Sequence, residues 1–139
     1  MPARSTLAST TKPVDEKITI NIGCVDLGQI DLLVQEGFYA NRTDLIRTAI
    51  RNQLTTHGEA VRDVVARKTL ALGIQHYSAA DLLAVKAAGE KLQIRVLGLA
   101  CIADDVTPKL ALATIESVTV LGALHASPAV KAALRERIG

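Results

Sequence analysis

Lys17, Thr19 and Asn21 occupy every second position of Lys17-Ile18-Thr19-Ile20-Asn21-Ile22, and every residue between and after them is isoleucine. An ammonium, a hydroxyl and a carboxamide supply the donors and acceptors that match base-pair edges. A second polar group, Asn41-Arg42-Thr43, stands directly ahead of the helical pattern that runs on through Asp44, Leu45, Ile46 and Arg47. Backbone amides at a helix start, with the positive end of the helix dipole, form a ready site for a phosphate oxygen. Both groups suit non-covalent recognition rather than bond-making chemistry.

The elements that must hold these groups follow from the pattern. A period of two places Ile18, Ile20 and Ile22 on one strand face and the three polar residues on the other. On its own, such a strand is most often a half-buried edge strand. Here a helix over Asp26 to Glu36 follows, then a bend at Gly37, then a second helix. Gly37 suits the left-handed residue that ends a helix. Asn41 is a good N-cap, and Asp44 is placed to return a bond to the Asn41 amide. The first helix turns Leu27, Ile30, Leu33 and Val34 inward. The second carries Leu45, Ile46, Ala49, Ile50 and Leu54 as an apolar stripe, with Arg42, Arg47 and Arg51 outside it. One strand and two helices cannot pair the strand's backbone groups or bury its isoleucines, so a second copy is needed. Two strands paired antiparallel across a two-fold axis make a ribbon of the width of the DNA major groove.

On these residues (the Lys-Ile-Thr-Ile-Asn-Ile strand, the bend glycine, and Asn41-Arg42-Thr43-Asp44 leading into Ile46-Arg47 and Ala49-Ile50-Arg51) the segment from about Glu16 to Thr56 resembles the ribbon-helix-helix DNA-binding domain of the CopG/Arc/MetJ class. The resemblance implies an intertwined homodimer that regulates transcription on double-stranded DNA. It implies base contacts by Lys17, Thr19 and Asn21, phosphate contacts by Asn41, Arg42 and Thr43, and a dimer core of Ile18, Ile20, Ile22, Ile46 and Ile50.

Charge tempers the expected affinity. Up to Gly58, six basic residues (Arg4, Lys12, Lys17, Arg42, Arg47, Arg51) face six acidic ones (Asp15, Glu16, Asp26, Asp31, Glu36, Asp44). Attraction to DNA is then moderate per protomer, and binding leans on dimerisation or higher assembly. The whole chain carries a formal net charge of +2, which excludes a histone-like basic coat. Hydrophobic residues make up 49% and aromatic residues only 2%, so the core is aliphatic. No apolar run has the length of a membrane span and no secretory leader is evident, so a cytoplasmic location without membrane association is expected. Cys24 and Cys101 lie far apart and make neither a disulfide framework nor a zinc spacing.

Three domains are expected: a flexible tail over 1–15, a ribbon-helix-helix domain over 16–57, and a repeat domain over 58–139. The tail includes Arg4 and Lys12, which could brush a phosphate backbone, but it reads first as a disordered leader with no fixed role. The break falls at Thr55-Thr56-His57-Gly58, after which Glu59 to Lys68 reads as a connecting helix. Beyond it, Ile94-Arg95-Val96-Leu97-Gly98 recurs as Val118-Thr119-Val120-Leu121-Gly122, with Leu70-Ala71-Leu72-Gly73 as a fainter copy. Helices over Ala79 to Ala88, Pro108 to Ile115 and Pro128 to Ile138 follow the three copies. Their starts are marked by Ser78 with Asp81, by Thr107-Pro108 and by Ser127-Pro128. Strand–helix units of this length are similar to a short leucine-rich-repeat solenoid, although the asparagine usual after the strand is missing. Gly98 and Gly122 read alternatively as bulges or points of close backbone approach.

The expected fold class is therefore α+β, a ribbon-helix-helix dimer followed by a small β-α repeat domain that joins dimers or binds a partner protein. Nickel-responsive relatives of the family pose the question of a metal, but His57, His76, His125 and Cys101 do not stand at close strand spacing, and no metal or cofactor is expected. His76 and His125 each follow a repeat glycine by three residues, which would make them near neighbours on successive turns. Asp104-Asp105 reads as a loop or helix start. Cys101, in the apolar run Leu99-Ala100-Cys101-Ile102, reads as a buried inert thiol. Phosphate-loop and nucleophile-elbow motifs are absent, so no enzymatic activity is expected. The functional reading is a sequence-specific transcriptional repressor. An antitoxin-like autoregulator and an architectural scaffold assembled through the repeats are the alternatives.

Overall fold

The computed structural model describes residues 15–139, and the expected tail with Arg4 and Lys12 lies outside them. The described chain divides into two compact units, 15–64 and 65–139.

In the first unit, residues 15–23 form neither helix nor strand. The strand expected over Lys17 to Ile22 does not form within the single chain, because a strand exists only through the ladder bonds of a neighbour. Helix α1 (Cys24–Gln35) starts two residues earlier than the pattern suggested, at Gly23, which lends no side-chain cap. Gly37 takes φ 84° after it, the left-handed conformation expected at that bend. Helix α2 (Arg42–Thr56) runs into the first half of the expected break and ends at His57. Thr55 and Thr56 are absorbed into it by donating their hydroxyls to the carbonyls of Arg51 and Asn52, at 2.8 and 3.0 Å. Only His57 separates α2 from α3 (Gly58–Lys68). Leu27, Ile30, Val34 and Leu45 are half-buried, whereas Leu33, expected to face inward, is exposed. No residue from 15 to 64 is fully buried, so this unit has no core of its own.

The second unit is built around a three-stranded parallel sheet in the order β1-β2-β3. Its strands are β1 (Ala71–Tyr77), β2 (Leu92–Ile102) and β3 (Ile115–His125). Each is followed by a helix: α4 (Ala79–Ala87), α5 (Pro108–Thr114) and α6 (Pro128–Ala133), the last running into a 3-10 turn over Arg135–Arg137. The helix starts are those the hydroxyl signals marked. Ser78 and Asp81 form a reciprocal capping box, Thr107 accepts from the Leu110 amide, and Ser127 accepts from the Val130 amide. The helix expected to run on from Pro128 to Ile138 stops at Ala133, and Ile138 turns back to form a parallel bridge with Val118. Arg137 holds the exit of α5, donating to the carbonyls of Leu112 and Ile115 at 2.7 Å each.

The aliphatic core lies between one sheet face and the helices. Leu82, Ala111 and Val130 from the three helices meet Ile94, Val96, Ala100, Ile102 and Val118 from the strands, with Leu134 beside them. The opposite face carries Leu72, Leu97 and Leu121 in one register row and Ile74, Leu99 and Ala123 in the next.

The repeat glycines fall in a single register column, Gly73 beside Gly98 beside Gly122. All three have positive φ, at 118°, 137° and 123°. A Cβ on Gly98 would overlap the carbonyl oxygen of Gly73, and one on Gly122 would overlap that of Gly98. Positive φ calls for glycine at all three positions, and close backbone approach adds a second reason at Gly98 and Gly122.

Candidate nucleic-acid interface

Asn41 initiates α2 from an extended conformation and accepts the Asp44 amide on Oδ1 at 2.8 Å. The amide that donates to Asp44 Oδ2 is that of Ala40, at 2.9 Å, one residue before the Asn41 amide expected. The turn from Gly37 to Asn41 brings Ala40 over the start of the helix, within reach of the carboxylate. The amides of Arg42 and Thr43, in the first turn of α2, have no acceptor within the helix. They are the donors a phosphate oxygen would meet. Thr43 is exposed beside them.

Arg42 is already engaged. Its Nε and Nη2 grip both carboxylate oxygens of Asp31 on α1, at 2.7 and 2.9 Å. The hydrogen bond from Arg42 holds the Asp31 carboxyl below its ordinary value, and the same bond raises the Arg42 guanidinium above its own. Both side chains are about half-exposed, so water and salt screen the pair. Sequence reasoning missed Asp31 as a partner, because it lies on another helix and no within-helix spacing links it to Arg42. Asp44 stands at the helix start and Asp31 at the tip of the Arg42 side chain.

Lys17, Thr19 and Asn21 are exposed on the extended segment, as are Ile18 and Ile20, at 78% and 72%. Ile22, Ile46 and Ile50 are exposed to a lesser degree. A single chain therefore presents five isoleucines to solvent on the segment and on α2. Arg47 and Arg51 are exposed on α2 as well.

Among the metal-ligand candidates, His57 contacts Gln53 by a 3.2 Å hydrogen bond at the end of α2. His76 and His125 are not near neighbours on successive turns. Cys101 separates them in one register row, with β2 between β1 and β3. Cys101 is half-buried rather than enclosed, since its row lies on the sheet face opposite the helices. Among the described residues, no group of three or more His, Cys, Asp or Glu side chains is arranged to hold a metal ion. Asp105 accepts the Ala79 amide at 3.1 Å, so it serves the start of α4. Among the described residues, no helix is long and apolar enough to cross a membrane.

No curated protein and no solved structure matched the chain. The model of the ribbon-helix-helix transcriptional regulator family does match it, over residues 13–131. That span reaches well beyond the segment from Glu16 to Thr56 whose residues carry the resemblance, and takes in the parallel sheet as far as α6. The chain belongs to the ribbon-helix-helix transcriptional regulator family.

Proposed function

We propose that the protein is a sequence-specific, DNA-binding transcriptional repressor that acts as a homodimer. Two extended segments, one from each chain, pair antiparallel through Ile18, Ile20 and Ile22 and enter the major groove as a ribbon. Lys17, Thr19 and Asn21 contact base edges from its outer face. Asn41, Arg42 and Thr43 clamp the flanking phosphates at the start of α2.

The observation that carries the reading is the five-isoleucine surface of a unit without any buried residue, in a chain of a family of transcriptional regulators. Removing those side chains from water is worth roughly 25 cal/mol per Å² of apolar surface. That gain is open to a second copy that also satisfies the ribbon's backbone. The parallel sheet unit then serves as a short β-α solenoid that brings dimers together on neighbouring sites. The role fits a cytoplasmic protein without cofactor or catalytic chemistry.

The test is a titration of the purified full-length protein onto DNA from upstream of its own reading frame and onto a scrambled duplex of equal length, at moderate salt. The proposal expects selective binding by a dimer. Equal affinity for the two duplexes, or no binding by a folded protein, overturns it.

A further inference from the structure

The parallel sheet has two edges of unequal character that complement each other. β1 and β3 are the outer strands, and each turns one row of backbone groups away from β2. Natural proteins blunt such edges with charge, proline or a cover, yet neither strand contains a proline or a Lys, Arg, Asp or Glu beyond Glu116. Among the described residues, β3 is covered at one level: Ile138 bridges Val118, and the Gly139 amide donates to the Val118 carbonyl at 2.8 Å. The register of β1 opens later, with Ala71 at the level of Val96 and Val120. A strand placed on β3 in the register of β1 therefore starts beyond that covered level.

We infer that β1 of one copy pairs in parallel with β3 of another, continuing the sheet head to tail through the register the chain already uses twice. Two independent features support a second copy of this chain as the occupant. The first is exposure within the register rows. Leu99, on the central strand, is 6% exposed, while Ile74 beside it on the β1 edge is 52% exposed. In the next row Leu72 and Leu121, on the two edges, are 68% and 51% exposed, with the central Leu97 half-buried. Placing β1 against β3 sets Leu72 beside Leu121 and Ile74 beside Ala123, and gives the edge residues the flanking their central counterparts have.

The second feature is Gly73. At Gly98 and Gly122 the preceding strand's carbonyl forbids a Cβ, which accounts for glycine there. Gly73 has the same kind of backbone, φ 118°, yet a Cβ on it would find nothing within 4 Å. The positive φ by itself calls for glycine at 73, but the space beside it is open, and in the proposed seam the carbonyl of Gly122 fills that space as the carbonyl of Gly73 does beside Gly98. A seam of this kind is heterologous, so it adds copies in an open row or a ring and does not close by a two-fold axis.

The experiment uses full-length Leu72→Cys and Leu121→Cys, each alone and mixed in equal parts, treated with a short bismaleimide and read by peptide mass spectrometry. Both positions are exposed, so neither change disturbs the core. The inference expects a peptide joining positions 72 and 121 of different chains, found in the mixture and in neither single variant. Links from 72 to 72 or from 121 to 121 would show a two-fold contact instead and overturn it, as would the absence of any link between these positions. Sedimentation of Gly73→Ala gives a second reading. The parent is expected to rise above dimer mass with concentration, and the variant to remain a dimer with an unchanged circular dichroism spectrum. A folded variant that assembles as the parent does contradicts the seam.

Discussion

Arg42 and Asp31 form a two-pronged ion pair between α2 and α1, at 2.7 and 2.9 Å, on the residue that the proposed mechanism assigns to a phosphate. Asp31 takes two of the five guanidinium N–H donors, which leaves the Nη1 side of Arg42 for a phosphate with a carboxylate held beside it. In the proposed mechanism the Asp31 charge would therefore partly offset the guanidinium and oppose a phosphate there. The pair is half-exposed, and a screened pair of this kind is worth little, so it does not bar Arg42 from turning to a phosphate.

Two substitutions should act in opposite directions. Asp31→Asn is expected to tighten binding to cognate and random DNA alike, by about threefold to tenfold, since it removes the negative charge that offsets Arg42. Arg42→Ala is expected to weaken both alike and to reduce the slope of log K against log salt by about 1 for each phosphate it no longer neutralises. Titrations across a salt series measure both quantities. Protonation should imitate the first substitution. The Asp31 carboxyl is held below its ordinary value by its bond from Arg42, so the pair is intact above the ordinary carboxylate range and is lost only as pH falls through the lowered value.

Ile20→Asp places a carboxylate at the centre of the proposed dimer core. A monomeric protein with reduced helix content in residues 15–64 is the expected product, because that unit contains no buried residue to sustain it alone. Sedimentation gives the mass and circular dichroism gives the helix content. A stable dimer in this variant would place the two-fold contact elsewhere.

The glycine column should rank three substitutions by urea denaturation. Gly98→Ala and Gly122→Ala meet both backbone strain, about 1–3 kcal/mol, and overlap with a neighbouring carbonyl, about 1–3 kcal/mol more. Gly73→Ala meets the strain alone, since the space beside it within the chain is open. The expected order of loss is Gly98 and Gly122 well above Gly73.

The second unit was the more legible one because its rules are local. Leu-Gly repeats marked the strands, and Ser78, Thr107 and Ser127 marked the helix starts, each by a hydroxyl that accepts an amide three residues on. The strands run past their glycines to Tyr77, Ile102 and His125, which the repeat motif alone did not convey. What sets those ends is pairing between strands, seen only once Cys101 lies beside His76 and His125. The first unit was legible in its bend and cap, at Gly37 and Asn41. It was not legible in Asp31, whose role arises from the approach of two helices, nor in the target of the Asp44 carboxylate, which depends on how the turn brings Ala40 round. The isoleucine alternation from Ile18 to Ile22 describes a strand for which the proposed partner is another chain, and within one chain residues 15–23 form no strand.

The central claim is that the outward residues of the ribbon read base sequence, and the most direct test is the specificity ratio of one double variant. Thr19→Ala/Asn21→Ala should bind random DNA about as well as the parent, because Asn41, Arg42 and Thr43 still hold the phosphates. Its preference for the upstream DNA should fall by about 1–3 kcal/mol for each base edge it no longer reads. A double variant that remains dimeric and keeps the parent's full preference would contradict the account.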